Sequence, residues 1–148
     1  MYKSASISQS EEYILFRSSV QLKKVQAGDD RSTVWKVFDC GRKTAEQHKA
    51  PVVFLPPIEA TCDAFFKQMN FLSARGYRAL SLGYPAYSSA QHFCVGFQNV
   101  LEVLGILKVD VFACGLGGFF LSHFLQVNVI YKNEKILYKC SLKKFRKR

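Results

Sequence analysis

The stretch Ala113-Cys114-Gly115-Leu116-Gly117 has the spacing of the G-x-S-x-G turn, in which a strand breaks sharply into a helix and lifts a nucleophile above a sheet. Small residues flank such a turn because strand and helix approach closely there. The nucleophile position falls on Gly115. Glycine has no side chain, so no alkoxide, thiolate or carboxylate can form at that point. The turn chemistry is present and the reactive atom is not, which predicts a protein that is not an enzyme.

The groups that would support a nucleophile are also missing. A triad on this kind of turn runs nucleophile, acid, histidine in chain order. After Gly115 the sequence has no Asp, one acid (Glu134) and one histidine (His123), in the wrong order. His123 is expected on the helix after the turn, and His48 and His92 are expected in solvated positions upstream. Cys114 is the one neighbouring side chain with nucleophilic chemistry. Side chains alternate along a strand, so Cys114 is expected to point into the sheet's packing rather than into a cleft, as an inert small hydrophobe. A donor pair for a small anion is available in principle: the backbone N–H groups of Ile58 and Leu116, with Pro56 and Pro57 donating nothing. The alternative reading is a hydrolase that uses Cys114 as an unusual nucleophile, or whose triad is completed by a partner chain or in a longer isoform.

The elements that must position this turn can be read from periodicity. Val20–Val25 and Thr33–Phe38 read as two strands around a turn at Gly28-Asp29-Asp30, an antiparallel lead-in hairpin. Pro51–Leu55 is a short, wholly apolar run ending at Pro56-Pro57, as in a strand buried on both faces. Thr61 is the expected cap of a helix carrying Phe65, Phe66, Met69, Phe71 and Leu72, closed by Gly76. Tyr77–Leu82 is the next strand. Ser88 or Ser89 opens a helix with Phe93, Phe97, Val100, Leu101, Leu104 and Leu107 on one face. Val109–Ala113 is another strand, and Phe119–Gln126 reads as the helix beyond the turn. Strands alternating with helices imply parallel pairing with right-handed crossovers. The pattern is the N-terminal half of an α/β-hydrolase fold. Val111–Leu125 is too short for a membrane span, which needs about 20 apolar residues.

Composition bounds the rest. The chain has 148 residues, 49% of them apolar and 14% aromatic, enough for a core. Its formal charge is +10, but residues 128–148 hold eight Lys/Arg against one acid. The body is therefore only +3, which gives no argument for nucleic-acid binding. Five cysteines at 40, 62, 94, 114 and 140 form no C-x-x-C pair. Neither a metal site nor a disulfide framework is expected, no cofactor is implied, and a reducing compartment fits. The first ten residues lack the apolar core of a signal peptide.

Several short segments, in consistent order from about Phe16 to Gln126, resemble the maspardin family of α/β-hydrolase-like proteins. They include Leu22-Lys23-Lys24, Phe54-Leu55-Pro56-Pro57, Tyr77-Arg78, Tyr84-Pro85-Ala86-Tyr87, Phe93-Cys94-Val95-Gly96-Phe97 and Leu116-Gly117-Gly118-Phe119. The resemblance implies a non-catalytic adaptor in the cytoplasm, associating peripherally with endosomal or trans-Golgi membranes. It further implies binding to a receptor's cytoplasmic tail, with negative regulation of signalling as the role. The chain departs from the family at the turn, where Gly115 stands for Ser and Ala113 for Gly, and it ends where family members continue.

The expected organisation is a flexible N-terminus over 1–12, a partial hydrolase-like domain over 13–126, and a basic tail over 127–148. In the tail, Val127–Tyr131 and Lys135–Tyr138 have strand character. Three readings stand: a hairpin covering the edge strand Val109–Ala113, a basic anchor at 143–148 for anionic lipid or nuclear import, and a non-native tail from a truncated transcript, which is preferred.

Overall fold

The computed structural model describes residues 10–28, 33–41, 49–58, 60–131 and 137–140. In chain order the elements are α1 (Glu11–Ser19), β1 (Lys23–Gln26), β2 (Val34–Cys40), β3 (Val52–Leu55), α2 (Phe66–Ser73), β4 (Ala79–Gly83), α3 (Ala90–Val103), β5 (Lys108–Ala113), α4 (Leu116–Tyr131) and β6 (Leu137–Cys140). They build one sheet with strand order β1-β2-β4-β3-β5-β6. β1 pairs antiparallel with β2, and β2 antiparallel with β4. The remaining pairs, β3–β4, β3–β5 and β5–β6, are parallel. The lead-in hairpin and the parallel crossovers are thus as the sequence pattern implies.

Alternation along the strands divides the core in two. On one face Val53, Leu55, Leu80, Leu82, Val109 and Val111 meet Trp35 and the buried side of α3 and α4, including Phe93, Phe97 and Phe124. On the other face Phe38, Phe54 and Ala79 meet Phe16 of α1 and Phe66 and Met69 of α2. Trp35 is fully buried, and its indole N–H donates to the Tyr87 hydroxyl at 2.7 Å. Across β2 and β4 the Arg78 guanidinium forms a two-pronged pair with the Asp39 carboxylate, at 3.1 and 3.0 Å. Both side chains are almost entirely buried, so this pair fixes the sheet's register with charges that cannot separate cheaply.

Several elements differ from the sequence expectation. Residues 11–19 form a helix that begins inside the segment assigned to the N-terminus: the Ser10 side chain accepts from the Tyr13 N–H at 3.3 Å, Glu11 and Glu12 occupy the first turn, and Phe16 is buried. A serine cap, acids against the positive helix end and one aromatic anchor suffice for this short helix. Val20 consequently ends α1, and β1 begins only at Lys23. Thr61 does not cap α2; its hydroxyl donates to Asp63, and the helix starts after Phe65 without a side-chain cap. Leu107 is exposed rather than on the buried face of α3, because the helix ends at Val103 and Gly105 turns the chain with φ +67°.

The largest correction is at the tail. Residues 127–131 continue α4 as helix rather than forming a strand. Residues 137–140 pair with β5 in parallel, Lys108 opposite Leu137. The tail thus covers the edge of β5 as expected, but with one parallel strand rather than a hairpin, and β5 is an inner strand. β-branched residues disfavour a helix by only a few tenths of a kcal/mol each, so a helix already nucleated at the turn runs on through Val127, Val129 and Ile130. The helix crosses the boundary expected at residue 126. The basic cluster at 143–148 and His48 lie outside the described residues.

Candidate functional site

The turn after β5 is built as the spacing predicts. Gly115 has φ +58°, the left-handed region that favours glycine. Its carbonyl accepts from Gly118 N–H at 3.1 Å and Phe119 N–H at 3.3 Å, which starts α4 directly behind the turn. Cys114 N–H donates to Leu55 O at 3.3 Å, tying the end of β5 to the end of β3. Gly117 is needed for closeness: a Cβ there would lie 3.0 Å from Leu55 O and 3.1 Å from Pro56 O. The Tyr84 hydroxyl donates to Pro56 O at 3.0 Å, fixing the loop after β3 from the β4 side.

Pro57 occupies the space above the turn. A Cβ on Gly115 would sit 2.8 Å from Pro57 Cβ, a ring atom that cannot swing away. The position is therefore empty of a nucleophile, and a side chain there would require the Pro57 loop to shift. This contact places the loop of Pro56, Pro57 and Ile58 beside Gly115 and Leu116, with Ile58 exposed.

The other candidate groups do not assemble into a site. Ala113 is buried on the α3/α4 face. Cys114 lies on the opposite face, half-buried, in a groove lined by Phe54, Phe65 and Phe112. Burial pushes its thiol pKa up, the reverse of what an attacking thiolate needs. His123 is partly buried on α4, two turns beyond Leu116. His92 Nδ1 and Ser88 Oγ are 2.8 Å apart at the exposed start of α3. That serine–histidine pair was not singled out from sequence, and no Asp or Glu bonds to His92 among the described residues. It joins the Ser89 cap, whose Oγ accepts from His92 N–H at 3.2 Å, in organising the first turn. Among the described residues no group of three His, Cys, Asp or Glu could hold a metal ion, and no helix is long and apolar enough to cross a membrane.

Two features escaped the sequence reading. The Pro57 block was legible only as a Pro-Pro pair after a strand, since nothing local says which residue it faces. The apolar groove collects Phe54 from β3, Phe112 from β5, Phe65 just before α2 and Phe71 from α2, residues far apart in sequence.

No family model matches the chain. Maspardin of Danio rerio is 41% identical over 127 residues, 86% of this chain and 39% of that protein. Maspardin of Homo sapiens is 39% identical over 117 residues, 79% of this chain and 37% of that protein. The chain thus spans about two fifths of the length of these curated relatives. Among solved structures, an epoxide hydrolase from Vigna radiata superposes with a TM-score of 0.63 at 20% identity, covering 87% of this chain and 42% of that one. A laboratory-evolved potato epoxide hydrolase gives 0.62 at 18% identity, over 82% and 38%. At such identity these two show the fold alone. By sequence the chain is a maspardin homologue, and by fold it is an α/β-hydrolase-like protein.

Proposed function

We propose that this protein is a non-catalytic adaptor: a hydrolase fold whose nucleophile turn has become purely structural, and which acts by binding another protein at cytosolic membrane surfaces. The observation that carries the reading is Gly115, left-handed, without a side chain and with Pro57 packed over it. Covalent acyl transfer needs a nucleophile and a base within hydrogen-bond reach of each other, and the turn offers neither. The N–H groups of Ile58 and Leu116 serve in this reading at most to hold a small anion. The homology to maspardin supports the adaptor role, with a receptor's cytoplasmic tail as the class of partner and endosomal or trans-Golgi membranes as the place.

The test is steady-state hydrolysis of a panel of activated esters by the purified chain. No turnover above the uncatalysed rate is expected. Turnover that disappears in Cys114→Ala would overturn the non-catalytic reading in favour of a thiol hydrolase.

A further inference from the structure

We infer that Tyr13 is a site of phosphorylation by an acid-directed tyrosine kinase, and that the phosphate releases α1 from the sheet. The inference goes beyond the adaptor reading and does not depend on the turn at Gly115. α1 is nine residues long, shorter than the roughly 12–15 residues at which an isolated helix holds together in water. Its docking therefore decides whether it stays folded. Phe16 packs on Phe38 and Phe66, with ring centroids 5.3 and 5.8 Å apart. One turn earlier the Tyr13 ring meets Phe66 edge-on at 5.3 Å, and its hydroxyl donates to Asp63 Oδ2. Thr61 Oγ1 donates to the other oxygen of the same carboxylate. Tyr13 is thus the polar half of the contact between α1 and the loop before α2, and it is only half-buried.

Charge makes this contact switchable. Among the described residues it gathers three acids, Glu11, Glu12 and Asp63, and three cations, Arg17, Lys36 and Lys67. A phosphotyrosine adds about two negative charges at pH 7 and removes the phenolic donor. Its oxygens then face the Asp63 carboxylate that the hydroxyl had bonded. Arg17 does not offset this. It stands four residues after Tyr13 on the same helix, so a pair with the phosphate lies within α1 and adds nothing to docking. Such a pair also draws the guanidinium off the Phe38 ring, over which it lies at 5.1 Å. Lys36 of β2 and Lys67 of α2 are exposed, and pairs with exposed lysines are worth little.

The local sequence suits such a kinase. Glu11-Glu12-Tyr13-Ile14 puts two acids before the tyrosine and an apolar residue after it, and those three neighbours are exposed. Charge patterns of this kind are how kinases select substrates. The other tyrosines around the sheet are placed differently. Tyr77 is flanked by Arg75 and Arg78 and lies under the Lys49 ammonium at 4.3 Å. Tyr84 donates to Pro56 O, and Tyr87 accepts from Trp35 in the core.

In the transfer the Tyr13 phenolic oxygen gives up its proton and forms a bond to the γ-phosphorus of ATP, whose bond to the bridging oxygen breaks, and ADP leaves. Local opening of α1 presents the segment to the kinase. The experiment uses the full chain, MgATP and a purified tyrosine kinase chosen for turnover of poly(Glu,Tyr), with sites mapped by peptide mass spectrometry. Tyr13 is expected to be modified about tenfold faster than Tyr77, Tyr84 or Tyr87, and Glu11→Lys with Glu12→Lys to slow it by a similar factor. Amide hydrogen exchange over residues 13–20 is then compared with and without the phosphate. It should rise about tenfold or more on phosphorylation, while β3, β4 and β5 keep their protection. Tyr13→Phe treated with the same kinase should show no such rise. Phosphorylated Asp63→Asn has lost the phenolic donor equally but carries no opposing charge, so it should keep most of the protection. That variant separates repulsion from the mere loss of a hydrogen bond. Four results would overturn the inference: modification that does not prefer Tyr13, exchange over 13–20 unchanged by the phosphate, protection lost from the whole sheet, or the same rise in Asp63→Asn. Ester hydrolysis enters none of these readouts, so their failure leaves the reading of Gly115 as it stands.

Discussion

Pro57 stands over Gly115 where a side chain would project, 2.8 Å from the place a Cβ would occupy. The turn therefore carries no nucleophile, and any side chain placed there would have to displace the loop of Pro56 and Pro57.

Restoring the missing hydroxyl should not restore chemistry. In Gly115→Ser the new Cβ meets Pro57, and a non-glycine residue at φ +58° carries about 1–2 kcal/mol of backbone cost. The variant is expected to be less stable than the parent by at least that amount in urea denaturation, and to hydrolyse no ester. Unchanged stability would show that the loop of Pro56 and Pro57 moves aside.

Gly96 is held small by a residue that approaches it from outside its own helix. An added Cβ would come within 2.8 Å of Tyr87 Cζ, and Tyr87 in turn accepts the Trp35 N–H. Gly96→Ala should displace the Tyr87 ring, break that hydrogen bond and cost about 1–3 kcal/mol through overpacking. Trp35 is the single tryptophan, so a shift in its emission reports the event directly. An unaltered spectrum would contradict it.

The buried pair of Asp39 and Arg78 should be costly to break and cheap to replace whole. Asp39→Ala leaves the Arg78 guanidinium buried without its counter-charge, and about 3–5 kcal/mol of destabilisation is expected. The double variant Asp39→Leu with Arg78→Met should recover most of the loss. A denaturation cycle over the four proteins measures the coupling.

Stability should fall in alkali. Burial raises the thiols of Cys40 and Cys94 to about 11, and raises the Tyr13 and Tyr87 phenols, Tyr13 chiefly through its hydrogen bond to Asp63. For the cysteines, the unfolded thiol ionises near pH 9 while the folded one stays protonated. The unfolded state thus binds fewer protons between pH 9 and 11, and stability present below pH 9 is lost as pH rises through that window. Cys40→Ala with Cys94→Ala should flatten the decline in the urea midpoint between pH 8 and pH 10.5.

Much of the fold could be read from periodicity, because β3, β4 and β5 are short apolar runs and α3 shows one continuous apolar stripe. The turn could be read from its glycines. Local propensity misled where a neighbour decides the outcome. Val127–Tyr131 has strand-forming residues, yet it extends a helix that the turn at Gly115 had already started. Glu11–Ser19 has little helical pattern of its own and is held by Phe16 against Phe38 and Phe66. The site was half legible for the same reason: Gly115 declares its missing side chain, while Pro57, nearly sixty residues earlier, declares nothing until the fold brings the two together.

No covalent intermediate is expected to form at the turn. Intact-mass spectrometry of the chain mixed with an activated acyl ester, followed over time and mapped by peptide, tests this directly. The expected result is no acyl adduct on residues 113–117 that forms and then decays. An adduct on Cys114 that appears, turns over and returns the free protein would show a catalytic thiol instead.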